Sequence, residues 1–192
     1  SDDLNILINK KNYLSFVLKE PNQCWQDHQV ILGDPMFING QYKFSKIFKN
    51  GFLSLKILSK NLFAFQKKNR NIKLHFDFFH GIGILDKAID VLDEKERDDF
   101  RKFVNNRGSF NRENMFICRS KKLMHEYFLS VFTWLEKCEE LFGFNLKGYA
   151  KTRIYTFLAE RYLPYWFNKY SKPLSWPVFF FDTNKKKLNL KK

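Results

Sequence analysis

The first group of candidate site residues follows an apolar run. Asp77 lies near the end of residues 72–79, and His80, Gly81 and Gly83 follow this run. If the run is a strand, its carboxyl end is where open α/β sheets bind their ligands. A carboxylate and an imidazole there could bind a divalent cation or a phosphate, and the glycines would let backbone N–H groups approach it. The alternative is a turn in which the histidine caps the next helix.

A second group lies inside a helical pattern that begins near Tyr149. Glu160 and Arg161 occupy its most apolar part, and Arg153 lies two turns before Glu160 on nearly the same face. Adjacent helical side chains point about 100° apart, so we expect Glu160 and Arg161 not to pair. A buried glutamate needs partners or water. Glu160 is therefore a candidate general base and the arginines are candidate phosphate ligands. The alternative is a structural ion pair between helices.

Two further candidates stand at the ends of short apolar runs. Asn114 precedes residues 115–118, and its amide could bind a hydroxyl group or cap a turn. Asp182 follows residues 178–181, where a lone aspartate most often caps a turn. The sequence contains no nucleophile–base arrangement of Ser, His, Asp or Cys and no phosphate-binding P-loop.

The elements that must position these side chains indicate a helix-rich mixed α/β domain with a small sheet. We predict strands at residues 28–32, 72–79, 115–118 and 178–181. We predict two short helices within residues 42–66, one over 84–104, and two long helices, after Ser120 and from near Tyr149. Ser120 fits the N-cap of the first long helix and Gly143 its end. The apolar stripe of that helix is predicted at Met124, Phe128, Val131, Leu135, Cys138 and Phe142.

The composition is that of a folded domain with a basic surface. The chain has 192 residues, of which 44% are hydrophobic and 18% aromatic, so it can bury a sizeable core. We expect one domain over residues 1–184 and a basic tail over 185–192. The net charge of +14 fits three kinds of partner: nucleic acid, an anionic membrane face and phosphorylated substrates.

Cysteine usage and hydropathy predict the compartment. Cys24, Cys118 and Cys138 are odd in number and widely spaced, which argues against a disulfide framework. No window of about 18 uncharged apolar residues occurs, so no transmembrane helix is predicted. Among cysteines and histidines only His75 and His80 approach ligand spacing, so we expect no zinc site. These features predict a cytoplasmic protein, whose basic tail would allow contact with the inner face of an anionic membrane.

The C-terminal half of the chain also resembles a known family. The resemblance rests on Asn114-Met115-Phe116-Ile117, the pair Trp134-Leu135, Arg153, and Phe157-Leu158-Ala159-Glu160-Arg161-Tyr162-Leu163. Over about residues 110–170 this order is similar to the C-terminal half of bacterial glycosyltransferases of the domain-of-unknown-function type, from capsule and lipopolysaccharide clusters. The His-Tyr-Arg-Arg segment of that family's N-terminal half does not occur here, so we expect the domain to lack that half.

The resemblance implies the C-terminal part of a single-Rossmann-like, GT-A-like glycosyltransferase. Such an enzyme moves a sugar from a nucleotide-sugar donor to a surface polysaccharide acceptor, either a saccharide or a lipid-linked saccharide. Its implied site comprises Glu160 as base, Arg153 and Arg161 near the donor diphosphate, and His80, Asp77 and Asn114 in the same cleft. A Mn²⁺ or Mg²⁺ cofactor is left open, because no Asp-x-Asp motif occurs.

Two alternatives stand beside the transferase. A nucleic-acid-binding module would use the net charge and the alternation of lysines with aromatic residues over residues 42–68, because single strands bind basic grooves with stacking rings. The basic residues are spread along the chain rather than gathered in one stripe, so we do not expect nucleic acid as the partner. The other alternative is a non-catalytic scaffold within a polysaccharide-synthesis complex.

Overall fold

The computed structural model describes residues 13–38, 51–60, 63 and 65–178. Within these residues the helices are α1 (Gly51–Lys60), α2 (Ile72–His80), α3 (Ile84–Asp90), α4 (Glu94–Asn106), α5 (Lys121–Phe142), α6 (Tyr149–Thr152) and α7 (Ile154–Tyr170). The strands are β1 (Val30–Gly33), β2 (Pro35–Phe37), β3 (Ser109–Asn111), β4 (Phe116–Cys118) and β5 (Leu174–Trp176). Short 3-10 helices span Tyr13–Phe16, Gln23–Trp25 and Lys67–Asn69. The predicted helix-rich α/β class is confirmed.

Two small sheets hold the strands together. In the three-stranded sheet β1 is central, antiparallel to β4 and parallel to β5. The strands β2 and β3 form an antiparallel pair. Because Val30 and Leu32 are buried in the hydrophobic core, one face of β1 packs against the helices. The strands predicted near residues 28–32 and 115–118 are confirmed.

Aromatic rings fill much of the core between the helices. The ring of Phe100 on α4 contacts Trp134 on α5 and Tyr162 on α7. The indole N–H of Trp134 donates to the carbonyl oxygen of Ala88 on α3 at 2.7 Å, so this buried polar atom is satisfied. These contacts join four helices into one packed unit that supports α7 and its charged side chains.

Residues 72–79 form helix α2, so the predicted strand was wrong. The side chain of Asn71 caps the helix by accepting from the Leu74 N–H at 2.8 Å. Buried positions recur at helical spacing, at Ile72, His75, Phe76 and His80. The helix buries side chains on more than one side, which produced the alternation in the sequence. A short apolar run does not by itself distinguish a buried helix from a strand.

The first long helix begins and ends as predicted but faces the core differently. Ser120 caps it by accepting from the Leu123 N–H at 3.2 Å, and Gly143, with φ of 66°, ends it. Its buried residues are Leu123, Tyr127, Val131, Trp134 and Cys138. Only two of these belong to the predicted stripe, because the amphipathic rings of Tyr127 and Trp134 turn inward and the apolar ring of Phe128 stays exposed.

Other predicted elements differ in extent. The segment 84–104 divides into α3 and α4, and α1 is one of the two helices predicted within 42–66. The last described strand is β5, which lies between Pro173 and Pro177. The strand predicted at residues 178–181 falls, except for Val178, outside the described residues. Residues 39–50 and 179–192, which include Asp182 and the basic tail, lie outside the described residues.

No helix in the described part of the chain is long and apolar enough to cross a membrane. All three cysteines are free thiols. Burial raises the pKa of the Cys138 thiol to about 12, so this thiol remains protonated at neutral pH.

Candidate functional site

Glu160 lies on α7, close to the turn that connects β3 with β4. One carboxylate oxygen accepts from the backbone N–H of Glu113 at 2.7 Å, and the other binds the guanidinium of Arg161. The side chain of Glu160 is 12% exposed. The expectation that the two adjacent residues do not pair was wrong, because both side chains are long enough to bend toward each other across the helix surface.

Arg161 is enclosed by side chains from other elements. Only 1% of its surface is exposed. Its guanidinium carbon lies 3.7 Å from the ring centroid of Phe110 on β3, and one of its nitrogens lies 3.3 Å from Nδ1 of His75 on α2. The ring face and the carboxylate of Glu160 together stabilise the buried charge. Arg161 therefore fixes the position of Glu160 and joins α7 to α2 and β3.

The turn before β4 has a strained backbone. Glu113 and Asn114 have φ of 73° and 49°, the left-handed region that non-glycine residues rarely adopt. The Asn114 amide donates to the Thr156 carbonyl oxygen on α7 at 3.0 Å, while the Glu113 N–H binds Glu160. Two contacts to α7 thus hold the turn in place. The Asn114 side chain here anchors a turn, one of the two roles predicted for it.

Arg153 precedes the first residue of α7 and is exposed. Its guanidinium carbon lies 5.1 Å from the ring centroid of Tyr149 and 5.5 Å from that of Phe157, and it donates to the Tyr149 hydroxyl. It contacts these rings rather than Glu160, so Arg153 is the N-cap residue of the helix that carries Glu160 without forming an ion pair with it. An exposed guanidinium held by two rings is well placed to bind an anion from solvent.

His80 ends α2 and stacks on Phe157, with 4.1 Å between ring centroids. Burial and then the positive charge of Arg161 lower the pKa of His80 to about 4, while a hydrogen bond with the Ala150 backbone acts in the opposite direction. The imidazole is therefore neutral at pH 7. Its buried Nδ1 atom has no hydrogen-bond partner among the described residues.

Asp77 belongs to a different cluster. Its carboxylate accepts from the Gly83 N–H at 3.0 Å and binds Lys73 at 2.8 Å, and Lys73 also binds Asp86 at 2.7 Å. These residues line a cavity of about 370 Å³ together with Asn71 and other polar side chains. The structure thus brings Glu160, Arg161, His80, Asn114 and Arg153 around the first half of α7. It places Asp77 instead in the cluster with Lys73 and Asp86.

The described residues do not form a ready-made divalent-cation site. They contain no group of three or more His, Cys, Asp or Glu side chains that could hold a metal ion. Both oxygens of Glu160 already bind donors from Glu113 and Arg161. These two donors therefore hold the Glu160 carboxylate in one orientation.

Four residues that contribute to this region were not among the site candidates identified from the sequence. His75 and Phe110 contact Arg161, Glu113 donates to Glu160, and Tyr149 holds Arg153. A helical assignment of residues 72–80, from Asn71 as an N-cap, would have placed His75 and His80 on the same helix, although not on the same face. The ring contact of Phe110 and the backbone contact of Glu113 depend on tertiary structure and leave no local signal.

Comparisons with known proteins give one family. No curated protein and no solved structure matches the chain. The family described as domain of unknown function DUF4422 matches residues 18–172. The match contains every candidate site residue except Asp182, extends well before residue 110 and ends before β5. The chain belongs to the DUF4422 family.

Proposed function

We propose that this chain is a glycosyltransferase domain that moves a sugar from a nucleotide-sugar donor to a saccharide acceptor, free or lipid-linked, of a bacterial surface polysaccharide. The observation that best supports the proposal is the Glu160 carboxylate. It is largely shielded from water and is oriented by a guanidinium and a backbone N–H. An exposed arginine, Arg153, stands at the start of the same helix.

The proposed step is a direct displacement at the anomeric carbon of the donor sugar. The acceptor oxygen forms a bond to that carbon while the bond from the carbon to the donor phosphate oxygen breaks. The bonding electron pair leaves with the nucleoside diphosphate, and the acceptor hydroxyl proton passes to Glu160. A carboxylate fixed within hydrogen-bond reach of the hydroxyl is the general base that such a step requires.

The arginines take different roles in this proposal. Arg153 binds the diphosphate, because its guanidinium is exposed and its planar set of N–H donors matches phosphate oxygens. Arg161 is buried, so it acts as a positioning residue that holds Glu160 and does not bind the donor. Neutral His80 supports the Phe157 ring that packs against Arg153.

A thermal-shift screen against UDP-, GDP-, CMP- and dTDP-sugars, with and without Mn²⁺, tests donor binding. A ligand at about 100 times its dissociation constant adds roughly 2.7 kcal/mol to the free energy of unfolding. We expect a shift with one nucleotide family that is lost in Arg153→Ala and retained in Lys151→Ala, an exposed cation on α6. The absence of a shift with every donor would overturn the proposal and favour the scaffold alternative.

Turnover of the donor then tests Glu160. We expect Glu160→Gln to retain the donor shift, because the proposed diphosphate ligand Arg153 does not contact Glu160, but to lose transfer by at least about 100-fold. Glu136→Gln, on the exposed face of α5, is the matched control and should transfer normally. Normal transfer by Glu160→Gln would exclude Glu160 as the base.

A further inference from the structure

The face of the three-stranded sheet opposite the helices carries a long apolar groove. Two cavities of about 660 and 540 Å³ share Leu18, Trp25 and Ile117, so they form one continuous depression, which we call the sheet groove. Pairing places Ile31 of β1 beside Ile117 of β4, and both line the groove. The remaining apolar lining includes Met115, Trp176, Pro177 and Val178.

Apolar side chains remain exposed along this groove. Leu18 is 51% and Ile117 48% exposed. Leu14 and Val17, on and just after the first 3-10 helix, are also exposed and extend the apolar surface before Leu18 along the chain. Trp25 and Trp176 meet edge to face, with 5.1 Å between ring centroids. Contiguous exposed apolar surface of this kind marks a binding site.

One end of the groove is polar and cationic. Lys19, Glu20 and Arg119 line the larger cavity but not the smaller one. The Arg119 guanidinium is held by the carbonyl oxygens of Trp25 at 3.2 Å and Gln26 at 2.7 Å. The indole N–H of Trp25, a residue only 6% exposed, has no acceptor among the described residues. A ligand with an anionic group next to a long apolar chain would therefore match both the cationic end and the apolar lining.

The sheet groove is separate from the Glu160 site. Its cationic end is at Arg119, whereas the turn that binds Glu160 is at Glu113, beyond the other end of β4. Strand β4 is extended and lies between the two positions. A phosphate at Arg119 would thus lie at the opposite end of β4 from the turn that binds Glu160.

We infer that the sheet groove docks the protein on an anionic phospholipid membrane. The lipid phosphate binds beside Lys19 and Arg119, and the acyl chain lies along Trp25, Ile117 and Trp176. Leu14, Val17 and Leu18 enter the boundary between headgroups and acyl chains, a depth at which tryptophan rings are also favoured. The net charge of +14 draws the chain to such a surface. The inference stands whether or not the proposed transferase activity does.

The test is flotation of the full chain with phosphatidylglycerol–phosphatidylcholine vesicles and with pure phosphatidylcholine vesicles. We expect binding to the anionic vesicles only, reduced roughly tenfold or more by Ile117→Asp and by Leu18→Asp. Lys19→Glu should also bind the anionic vesicles more weakly than the wild type. This difference should grow as the salt concentration is lowered, because charges are then less screened. Phe144→Asp and Lys122→Glu are the matched controls, since both residues are exposed but outside the groove, and should bind normally.

Brominated acyl chains give a second readout. They should quench tryptophan fluorescence, and Trp176→Phe should remove part of the quenching, because Trp134 and Trp166 are buried away from the groove. Inorganic phosphate at millimolar concentration should not displace the protein, because it lacks the acyl chain.

Three results would overturn the inference. Binding that survives Ile117→Asp and Leu18→Asp but is lost when Lys185, Lys186 and Lys187 are changed to Ala would assign the contact to the tail alone. Displacement by inorganic phosphate would indicate a simple anion site. A lower melting temperature in both groove variants, with no binding to any vesicle, would mean that another part of the chain fills the groove.

Discussion

His80 couples the charge state of one buried side chain to the stability of the whole domain. Its pKa of about 4 in the folded protein lies below its ordinary value of 6.5. Between these values the unfolded chain binds a proton that the folded protein does not, so stability is complete above pH 6.5 and falls as the pH drops toward 4. Over this range the free energy of unfolding of the wild type should fall by up to about 3 kcal/mol because of His80. We expect this fall to be absent in His80→Phe.

Urea unfolding at a series of pH values between 7.5 and 4 measures this effect. His125→Gln, an exposed histidine on α5, is the control and should follow the wild-type curve. If the stability of His80→Phe declines with pH in parallel with the wild type, the imidazole is not the group responsible.

At the scale of elements, α2 depends on its N-cap. Asn71 accepts from the Leu74 N–H and donates to the Asn105 carbonyl oxygen at 2.8 Å. We expect Asn71→Ala to lower the free energy of unfolding by about 1–2 kcal/mol, because a helix end loses its capping acceptor. Asn71→Asp keeps that acceptor and should lose less. Equal losses in the two variants, measured by urea unfolding, would assign the effect to the bond with Asn105 instead.

The elements also show what the sequence could predict. Ser120 and Gly143 mark α5 correctly, because caps are local and depend on residue type. The identity of α2 and the buried face of α5 were missed, since burial on several sides and inward-facing Tyr127 and Trp134 depend on which elements pack around them. Within the candidate site, Glu160 and Arg161 stood out as charges in an apolar pattern, whereas the ring of Phe110 that accommodates Arg161 is distant in sequence.

At the scale of the whole molecule, the net charge of +14 separates two kinds of partner. We expect single-stranded oligonucleotides to bind only at low salt, because each phosphate contact releases counterions and 6–10 contacts cost about 10³–10⁵ in affinity between 50 and 200 mM salt. Donor nucleotide-sugar binding should change far less over this range. Fluorescence anisotropy of a labelled oligonucleotide, beside the thermal shift with the donor, measures both.

Tight oligonucleotide binding that persists at 200 mM salt, together with no nucleotide-sugar shift, would favour the nucleic-acid module over the transferase. A basic charge of this size is expected to give some non-specific binding, so binding at low salt alone does not decide the question.

The order of strands in the three-stranded sheet also affects how the chain is made. The central strand β1 ends at Gly33, but its partners β4 and β5 begin at Phe116 and Leu174. At translation rates of about 5–20 residues per second, synthesis of the last partner strand, β5, follows that of the apolar β1 by on the order of ten seconds. During synthesis both edges of β1 are open to other chains. The sheet therefore closes only after β5 has been synthesised, and a ribosome that stalls before Leu174 would release a chain with an unpaired hydrophobic strand, a natural substrate for chaperones.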